Sequence, residues 1–255
     1  MRVDRLNEME RYILENETVS LEELTHVFSV SINTVRRDIQ QLLQRGLIKK
    51  VYGGVSVSFQ AEPLPMAVRA AKNSEAKQQI GALAATLIPS HTSVFLDSGS
   101  TTPQILPYLA EKAGITIVTH SLPALYEASR YPNLNVINPG GIYNAATASY
   151  VGISTVDAIS NIHVQTVLIA ATGVSIENGL TNSTYLEADI KRCIAANSSN
   201  IILMADHTKF DGSAALSFCP LNKLSAIVTD QKPSKAYLAF MDKHNIRLLC
   251  PRKFK

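Results

Sequence analysis

No apolar run in the 255 residues approaches the roughly 20 needed to cross a bilayer, and the opening MRVDRLNEMERY lacks the apolar stretch of a secretion signal. The chain is therefore expected to be soluble and cytoplasmic, with no membrane partner. Cysteine is scarce. Cys193, Cys219 and Cys250 stand far apart, with no second Cys or His at ligand spacing, so neither a disulfide framework nor a zinc site is indicated. They read as small core residues. Neither a Walker A loop nor a GxGxxG fingerprint occurs, which leaves nucleotide binding unsupported. No metal, cofactor or catalytic set is expected, and internal repeats and low-complexity segments are absent. Net charge is low as well, at +3, too small by itself to argue for a polyanionic partner.

The charges that are present are unevenly placed. Residues 1–30 carry three basic side chains against seven acidic ones, and residues 31–60 carry five basic ones against Asp38 alone. The first sixty residues are neutral in sum yet polarised along the chain, as expected if one face meets a polyanion. Leu6, Met9, Ile13 and Leu14 recur at helical spacing, so a first helix should fade at Asn16. SLEE, residues 20–23, reads as a capping box opening a short second helix with Leu21, Leu24, Val27 and Phe28 turned inward. Past Ser29 and Val30, Ser31 can cap a third helix that stops at Gly46. LIKKVYGGVSVSF then sets two β-rich runs around Gly53 and Gly54, a pair able to take positive φ at both positions of a two-residue turn. Three helices and a hairpin follow the winged helix-turn-helix order.

On a wheel of 100° per residue, Ile32, Val35, Ile39, Leu42 and Leu43 form the apolar stripe of the third helix. Asn33, Arg37, Gln40 and Gln41 lie opposite, and Arg36 and Asp38 sit on the two flanks. Asn33, Arg37 and Gln40 have groups suited to base edges, whereas Arg36 suits a phosphate or an intramolecular carboxylate. With Ser31, Thr34, Lys49, Lys50 and Tyr52 they make up the expected DNA-contacting set. An ordinary amphipathic helix with a solvated outer face would show the same local pattern.

Residues 60–74, QAEPLPMAVRAAKNS, hold two prolines and little periodicity, and read as a linker between a domain at 1–59 and another at 75–255. Beyond it, short β-branched runs alternate with helical stretches. Strands are expected at 93–97, 115–119, 135–139, 166–170, 200–206, 226–230 and 246–250. Helices are expected near 75–87, 103–113, 121–130, 152–161, 184–198 and 234–244. Such alternation implies the α/β class, with a mainly parallel sheet covered by helices on both faces.

DSGSTT, residues 97–102, lies between a strand and the helix expected to begin at Pro103. Ser98, Gly99 and Ser100 would let amides close on an anion at a helix N-terminus, and the hydroxyls of Ser98, Ser100, Thr101 and Thr102 can add donors. Plain helix capping explains the same composition. Other turns follow strands, where open α/β sheets collect ligands. They hold Gly140 and Gly141, Thr172 and Gly173, and Asp206 and Lys209. Lys209 could neutralise phosphate charge, and Asp97 or Asp206 could accept from sugar hydroxyls, although tight turns and solvated loops use the same residues.

The run VSLEELTHVFSVSINTVRRDIQQLLQRGLIKKVYGGV resembles the N-terminal domain of the DeoR family of bacterial transcriptional regulators, with Ile39 where that family usually has leucine. The resemblance continues through DSGSTT, the glycine pair, GLTN at 179–182 with Thr181, and ADHTKF at 205–210. It implies a winged helix joined to a sugar-phosphate-sensing domain of the ribose-5-phosphate isomerase and CoA-transferase type, with these motifs lining the effector pocket. His120 in VTHS stands where the family usually has asparagine, a departure that counts against a ligand role for His120 and bears on effector preference. NTVRRDI and VYGGV are similar to the inositol-catabolism repressors of the family. The expectation is a repressor of a carbohydrate-catabolic operon, acting as a homodimer or homotetramer and released from operator DNA by a phosphorylated sugar or sugar derivative. Two rivals stay open. One is a sugar-phosphate isomerase with an accessory winged helix, using Asp97, Asp206 or Glu187 as base; the other is a helical domain that only binds protein.

Overall fold

Leu6, Met9 and Ile13 fall on one side of a helix, α1 (Arg2–Asn16), and bury that side among Val19, Leu24, Val35, Ile39, Leu42, Ile48 and Val55. The computed structural model describes residues 2–16, 18–44, 48–57 and 64–251, and divides into two units after Lys72. In the first unit α1 is followed by β1 (Thr18–Ser20), α2 (Leu21–Phe28), α3 (Ile32–Gln44), β2 (Ile48–Val51), β3 (Gly54–Val57) and α4 (Met66–Ala71). Ser20 Oγ accepts the Glu23 amide at 3.0 Å and so caps α2, while the Glu23 carboxylate is drawn to the Tyr12 hydroxyl at 2.9 Å. Ser29 leaves α2 in the left-handed region at φ 49°, and Ser31 Oγ accepts the Thr34 amide to open α3.

Several details depart from the sequence expectation. Val27, expected inside, is 47% exposed, because the eight-residue α2 turns only Leu24 fully inward and sets Leu21 and Phe28 at its margins. The hairpin turn is Tyr52-Gly53, since Val51 pairs with Gly54, and of the turn glycines only Gly53 has a positive φ, 75°. Gly54 begins β3, where a Cβ would collide with the Val19 carbonyl of β1, a strand the sequence pattern did not suggest. Helix α4 falls in the stretch read as a linker. The expected stop at Gly46, and residues 58–63, lie outside the described residues.

The second unit runs α5 (Ser74–Ala85), β4 (Ser93–Leu96), a 3-10 turn (Thr102–Ile105) leading into α6 (Leu106–Leu109), β5 (Thr116–Thr119), α7 (Leu122–Ala128) and β6 (Asn135–Ile137). Next come β7 (Ile142–Asn144), β8 (Ser149–Val151), α8 (Ile153–Ser160), β9 (Thr166–Ile169), β10 (Gly173–Ser175), β11 (Gly179–Asn182) and α9 (Tyr185–Ala196). It ends with β12 (Ile201–Met204), β13 (Leu216–Cys219), β14 (Ala226–Val228), α10 (Lys235–Lys243) and β15 (Arg247–Leu249). Seven strands form one wholly parallel sheet in the order β15-β14-β12-β9-β4-β5-β6, and all seven fall within strands expected from the sequence.

Alternate residues of a strand face opposite ways, and the two sides bury different helices. Val94, Leu96 and Leu168 pack with Ile80 of α5, Leu106 of α6 and Ala124 of α7. Phe95, Val167 and Ile169 pack with Ile159 of α8, Ile190 of α9 and Tyr237 of α10. Two antiparallel additions were not anticipated, the pair β7-β8 and the sheet β10-β11-β13. Cys219, on β13, is buried in the second of these cores, and burial pushes its thiol up to about 11. Among the described residues no helix is long and apolar enough to cross a membrane. The central strands β4, β5, β9 and β12 deliver Asp97, His120, Ala170 and Asp206 close beyond their carboxyl ends.

Candidate functional site

One exposed face and one buried cluster have the residues for a function. On the first unit, Asn33, Arg36, Arg37 and Gln40 are exposed along α3, and Thr34 is half-buried. Ser31 and Thr34 hold each other, their hydroxyls 3.0 Å apart, so both serve the helix start. Arg36 and Gln40 line a groove shared with Lys50 and the Gly53-Gly54 backbone, whereas Arg37 and Asn33 are not part of its lining. Asp38, placed on a flank by the wheel, is 1% exposed. Arg5 of α1 donates to its Oδ2 from Nε at 2.9 Å, and Arg5 Nη2 lies 2.8 Å from the same oxygen. The carboxylate considered for Arg36 is thus occupied by another helix. Tyr52 is fully exposed at the hairpin tip, and the Gly53 carbonyl accepts the Leu21 amide at 3.1 Å, which fixes the hairpin against the start of α2. Lys50 is exposed; the side chain of Lys49 lies outside the described residues.

In the second unit a polar cluster sits at the carboxyl end of the parallel sheet with almost no solvent contact. Asp97 and His120 are each 0% exposed, and Ser98, Glu187 and Lys191 are 5% or less. Asp97 Oδ2 accepts the Ala170 amide at 2.9 Å and pairs with Lys191 Nζ, which also donates to the Ala170 carbonyl at 2.9 Å. Glu187 Oε1 accepts the hydroxyls of Ser98 at 2.6 Å and Ser149 at 3.1 Å, and Asn182 Nδ2 approaches its Oε2 at 3.4 Å. Asp97 Oδ1 and His120 Nε2 face each other across 4.0 Å. Neither that oxygen nor either ring nitrogen of His120 has a hydrogen-bond partner among the described residues. Burial pulls the imidazole pKa below its ordinary value, against the carboxylates of Asp97 and Glu187, so His120 is held neutral and stacks on Phe95.

Buried polar groups without partners are costly, and a neutral imidazole has one donor and one acceptor to satisfy. A single hydroxyl oxygen about 2.8 Å from both atoms fits a 4.0 Å gap, donating to Asp97 Oδ1 and accepting from His120 Nε2–H. The pair is therefore spaced to hold one hydroxyl group between them.

Around this cluster the residues singled out from the sequence divide by what holds them. Thr102 Oγ1 donates to the Asp97 carbonyl at 2.7 Å, so it braces the loop, and Thr101 is buried while Ser100 is half-buried. Gly99, at φ 148°, turns the chain beside Ala170. The helix expected from Pro103 is instead the four-residue 3-10 turn and the single-turn α6, because Pro103 and Pro107 interrupt the amide ladder. An anion here would depend on loop amides and hydroxyls rather than on a helix dipole.

Gly140 and Gly141 are accounted for by a tight turn. The Gly140 amide donates to Asn138 Oδ1 at 2.6 Å, and a Cβ on Gly141 would strike Thr155 Oγ1. Gly173 packs against the Gly212 carbonyl, and the buried Thr181 hydroxyl donates to the Gly173 carbonyl and accepts the Ala214 amide. Thr172, exposed, donates to Asn182 Oδ1 at 3.1 Å. Asp206 is 1% exposed and takes the Thr208 amide and hydroxyl together with Asn73 Nδ2. Burial alone would raise its pKa, but those Thr208 bonds and the charges of Lys209 and Lys77 outweigh it and hold the carboxylate below its ordinary range.

Lys191 and Ser149 were not anticipated, Asn182 entered only as the last residue of GLTN, and Glu187 was considered only as an enzyme's base. Glu187 and Lys191 lie four apart on α9, a spacing usual for a solvated ion pair. Their one distinguishing signal is that they share the buried side of the helix with Ile190 and Ile194.

Comparison with known proteins places the whole chain. Residues 5–60 match the DeoR-like helix-turn-helix domain and residues 72–231 the DeoR C-terminal sensor domain. The HTH-type transcriptional regulator IolR of Bacillus subtilis is 39% identical over 246 residues, 96% of this chain and 98% of that protein. The glycerol-3-phosphate regulon repressor of Escherichia coli is 28% identical over 98% of this chain and 99% of its own length. Among solved structures, ribose-5-phosphate isomerase A from Methanocaldococcus jannaschii is similar over 55% of each chain, at 14% identity and a TM-score of 0.41. With both domains matched in order and a relative 39% identical along nearly all its length, the protein belongs to the DeoR family.

Proposed function

We propose that this protein is a DNA-binding repressor of carbohydrate-catabolic genes, released from operator DNA by a phosphorylated sugar or sugar derivative bound at the carboxyl ends of β4, β5 and β9. The observation that carries the effector half is the buried pair Asp97 Oδ1 and His120 Nε2, both without partners and spaced to share one hydroxyl. Loop amides and the Ser100 and Thr101 hydroxyls beside them offer donors to a phosphate. The DNA half is supported by the exposed Asn33, Arg36, Arg37 and Gln40 on α3 and by Lys50 and Tyr52 on the hairpin. The name of the Escherichia coli relative pairs a repressor with a phosphorylated polyol.

In this reading two copies engage a two-fold operator, with base contacts from Asn33, Arg37 and Gln40 and phosphate contacts from Arg36 and Lys50. Effector and operator each bind one state of the protein better, so each weakens the other by the same factor. The test is fluorescence anisotropy of an operator duplex bound by the full chain, titrated with phosphorylated sugars, polyols and inositol derivatives. Release by at least one compound that also raises the melting temperature is the expected result. Release by none, with no melting shift from any of them, would overturn the reading.

A further inference from the structure

Asp206 stands beyond the carboxyl end of β12, two strands from β4 and so roughly 10 Å across the sheet from Asp97. Thr208, in the turn that follows, gives it an amide and a hydroxyl, and both go to Oδ1. A third donor to the same oxygen comes from 133 residues away. Asn73 Nδ2 reaches it at 3.3 Å, the longest of the three contacts.

Asn73 immediately precedes α5. An asparagine in that place ordinarily has extended backbone and turns its own oxygen back to a free amide of the first turn. Ser20, Ser121, Thr184 and Ser234 all precede their helices in the extended region. Asn73 instead has φ 53° and ψ 37°, in the left-handed region, and its side chain makes no capping hydrogen bond. Left-handed backbone is disfavoured for any residue with a Cβ, although asparagine bears it better than most. The side chain has thus given up the helix cap for Asp206, and the backbone is left in its less favoured state. One residue therefore has two arrangements open to it: left-handed with the amide on Asp206, or extended with the oxygen on α5. They differ by more than about 100° in φ.

The position gives this choice its consequence. The chain divides after Lys72, so Asn73 is the first residue of the second unit, and a rotation of its backbone re-aims the chain that leads to the first. Large φ/ψ changes at single residues that end an element are how hinges move. The Asp206 carboxylate accepts only, so donors compete for it. Asn73 is the neutral donor held at the longest distance, and a hydroxyl arriving at this end of the sheet displaces it first. Thr208 is exposed and Asn73 half-buried, so the contact lies where an arriving group can reach it. We propose that the Asn73 to Asp206 hydrogen bond is a latch: closed, it holds the unit boundary in the direction that suits operator DNA, and a hydroxyl of the bound effector opens it by taking Asp206. The inference rests on the reading of the protein as an effector-released repressor, and names the residues where effector and operator are coupled.

Two substitutions open the latch by different chemistry. Asn73→Pro fixes φ at about −65° and excludes the left-handed state, while Lys72 already has the extended ψ, 129°, that a residue before proline adopts. Asn73→Asp sets a carboxylate against Asp206 and is itself a good helix cap. If Asn73 were merely structural, both variants would be neutral or stabilising and would bind operator as the parent does. The latch makes both weaken operator binding by about tenfold or more with no effector present, measured by anisotropy on the full chain, while the melting temperature is held or raised. X-ray scattering of the full chain without DNA should give profiles that differ from the parent's in the same way for both variants. Any compound in the titration above that releases the parent should change the operator affinity of Asn73→Pro by less than about twofold. Parent-like operator affinity in both variants, parent-like scattering, or a full effector response in Asn73→Pro would each overturn the proposal. A parent that binds no operator would count against the regulator reading instead, and the scattering comparison, which needs no DNA, would still decide whether Asn73 sets the direction of the chain.

Discussion

Adjacent residues in this chain have unlike tasks, and single substitutions should separate them. Arg37, exposed on α3 and not part of the groove lining that includes Arg36, is the side chain proposed to read bases. Arg37→Ala should cost about 1–3 kcal/mol of discrimination between operator and unrelated duplex, measured as the ratio of the two dissociation constants. Equal losses on both duplexes would assign it to phosphate. His120 bears on pH. Its folded pKa lies below the ordinary 6.5, so above that pH neither the folded nor the unfolded state holds the proton. Below it the unfolded chain takes up the proton first, and stability falls as pH drops from about 6.5 toward the lower folded value. His120→Asn removes this contribution, so its melting temperature should fall less between pH 7.5 and 5.5 than that of the parent.

At the scale of elements, the five inner strands of the parallel sheet were legible because a sheet covered on both faces leaves each of them an almost unbroken apolar run, as in TVLI and IILM. Strands β7, β8, β10, β11 and β13 are three or four residues long and hold Asn, Ser, Thr or Gly, so nothing in their composition separated them from turns. The buried polar cluster was legible where it follows a strand, at Asp97 and Ser98. It was opaque where it comes from the middle of a helix, because Glu187 and Lys191 have the spacing of a surface pair and only the packing of α9 shows them buried. Lys191→Met tests that helix. It leaves the Asp97 carboxylate buried without its counter-charge, and should destabilise the second unit by about 3–5 kcal/mol in chemical denaturation. Gly54 was also misread as a turn residue, when its lack of a side chain admits the Val19 carbonyl. Gly54→Ala should cost about 1–3 kcal/mol in the first unit through the displaced β1–β3 pairing, read from the denaturation midpoint.

At the scale of the whole molecule, two units proposed to take different ligands give separate readouts. A phosphorylated sugar at 100 times its dissociation constant should add about 2.7 kcal/mol to the unit that binds it. Calorimetry should show that gain in the transition of the larger unit, with the winged-helix transition unmoved. The pairing of Arg5 with Asp38 has a consequence for how losses of repression would map. Among residues 31–60 the sole anion is buried, and a guanidinium from α1 neutralises it. A phosphate nearing α3 thus meets arginines and amides with no competing carboxylate. A genetic screen for derepressed strains should recover Arg5 although a footprint of the bound operator would never point to it, and its defect should be suppressed by Asp38→Asn, which removes the stranded charge.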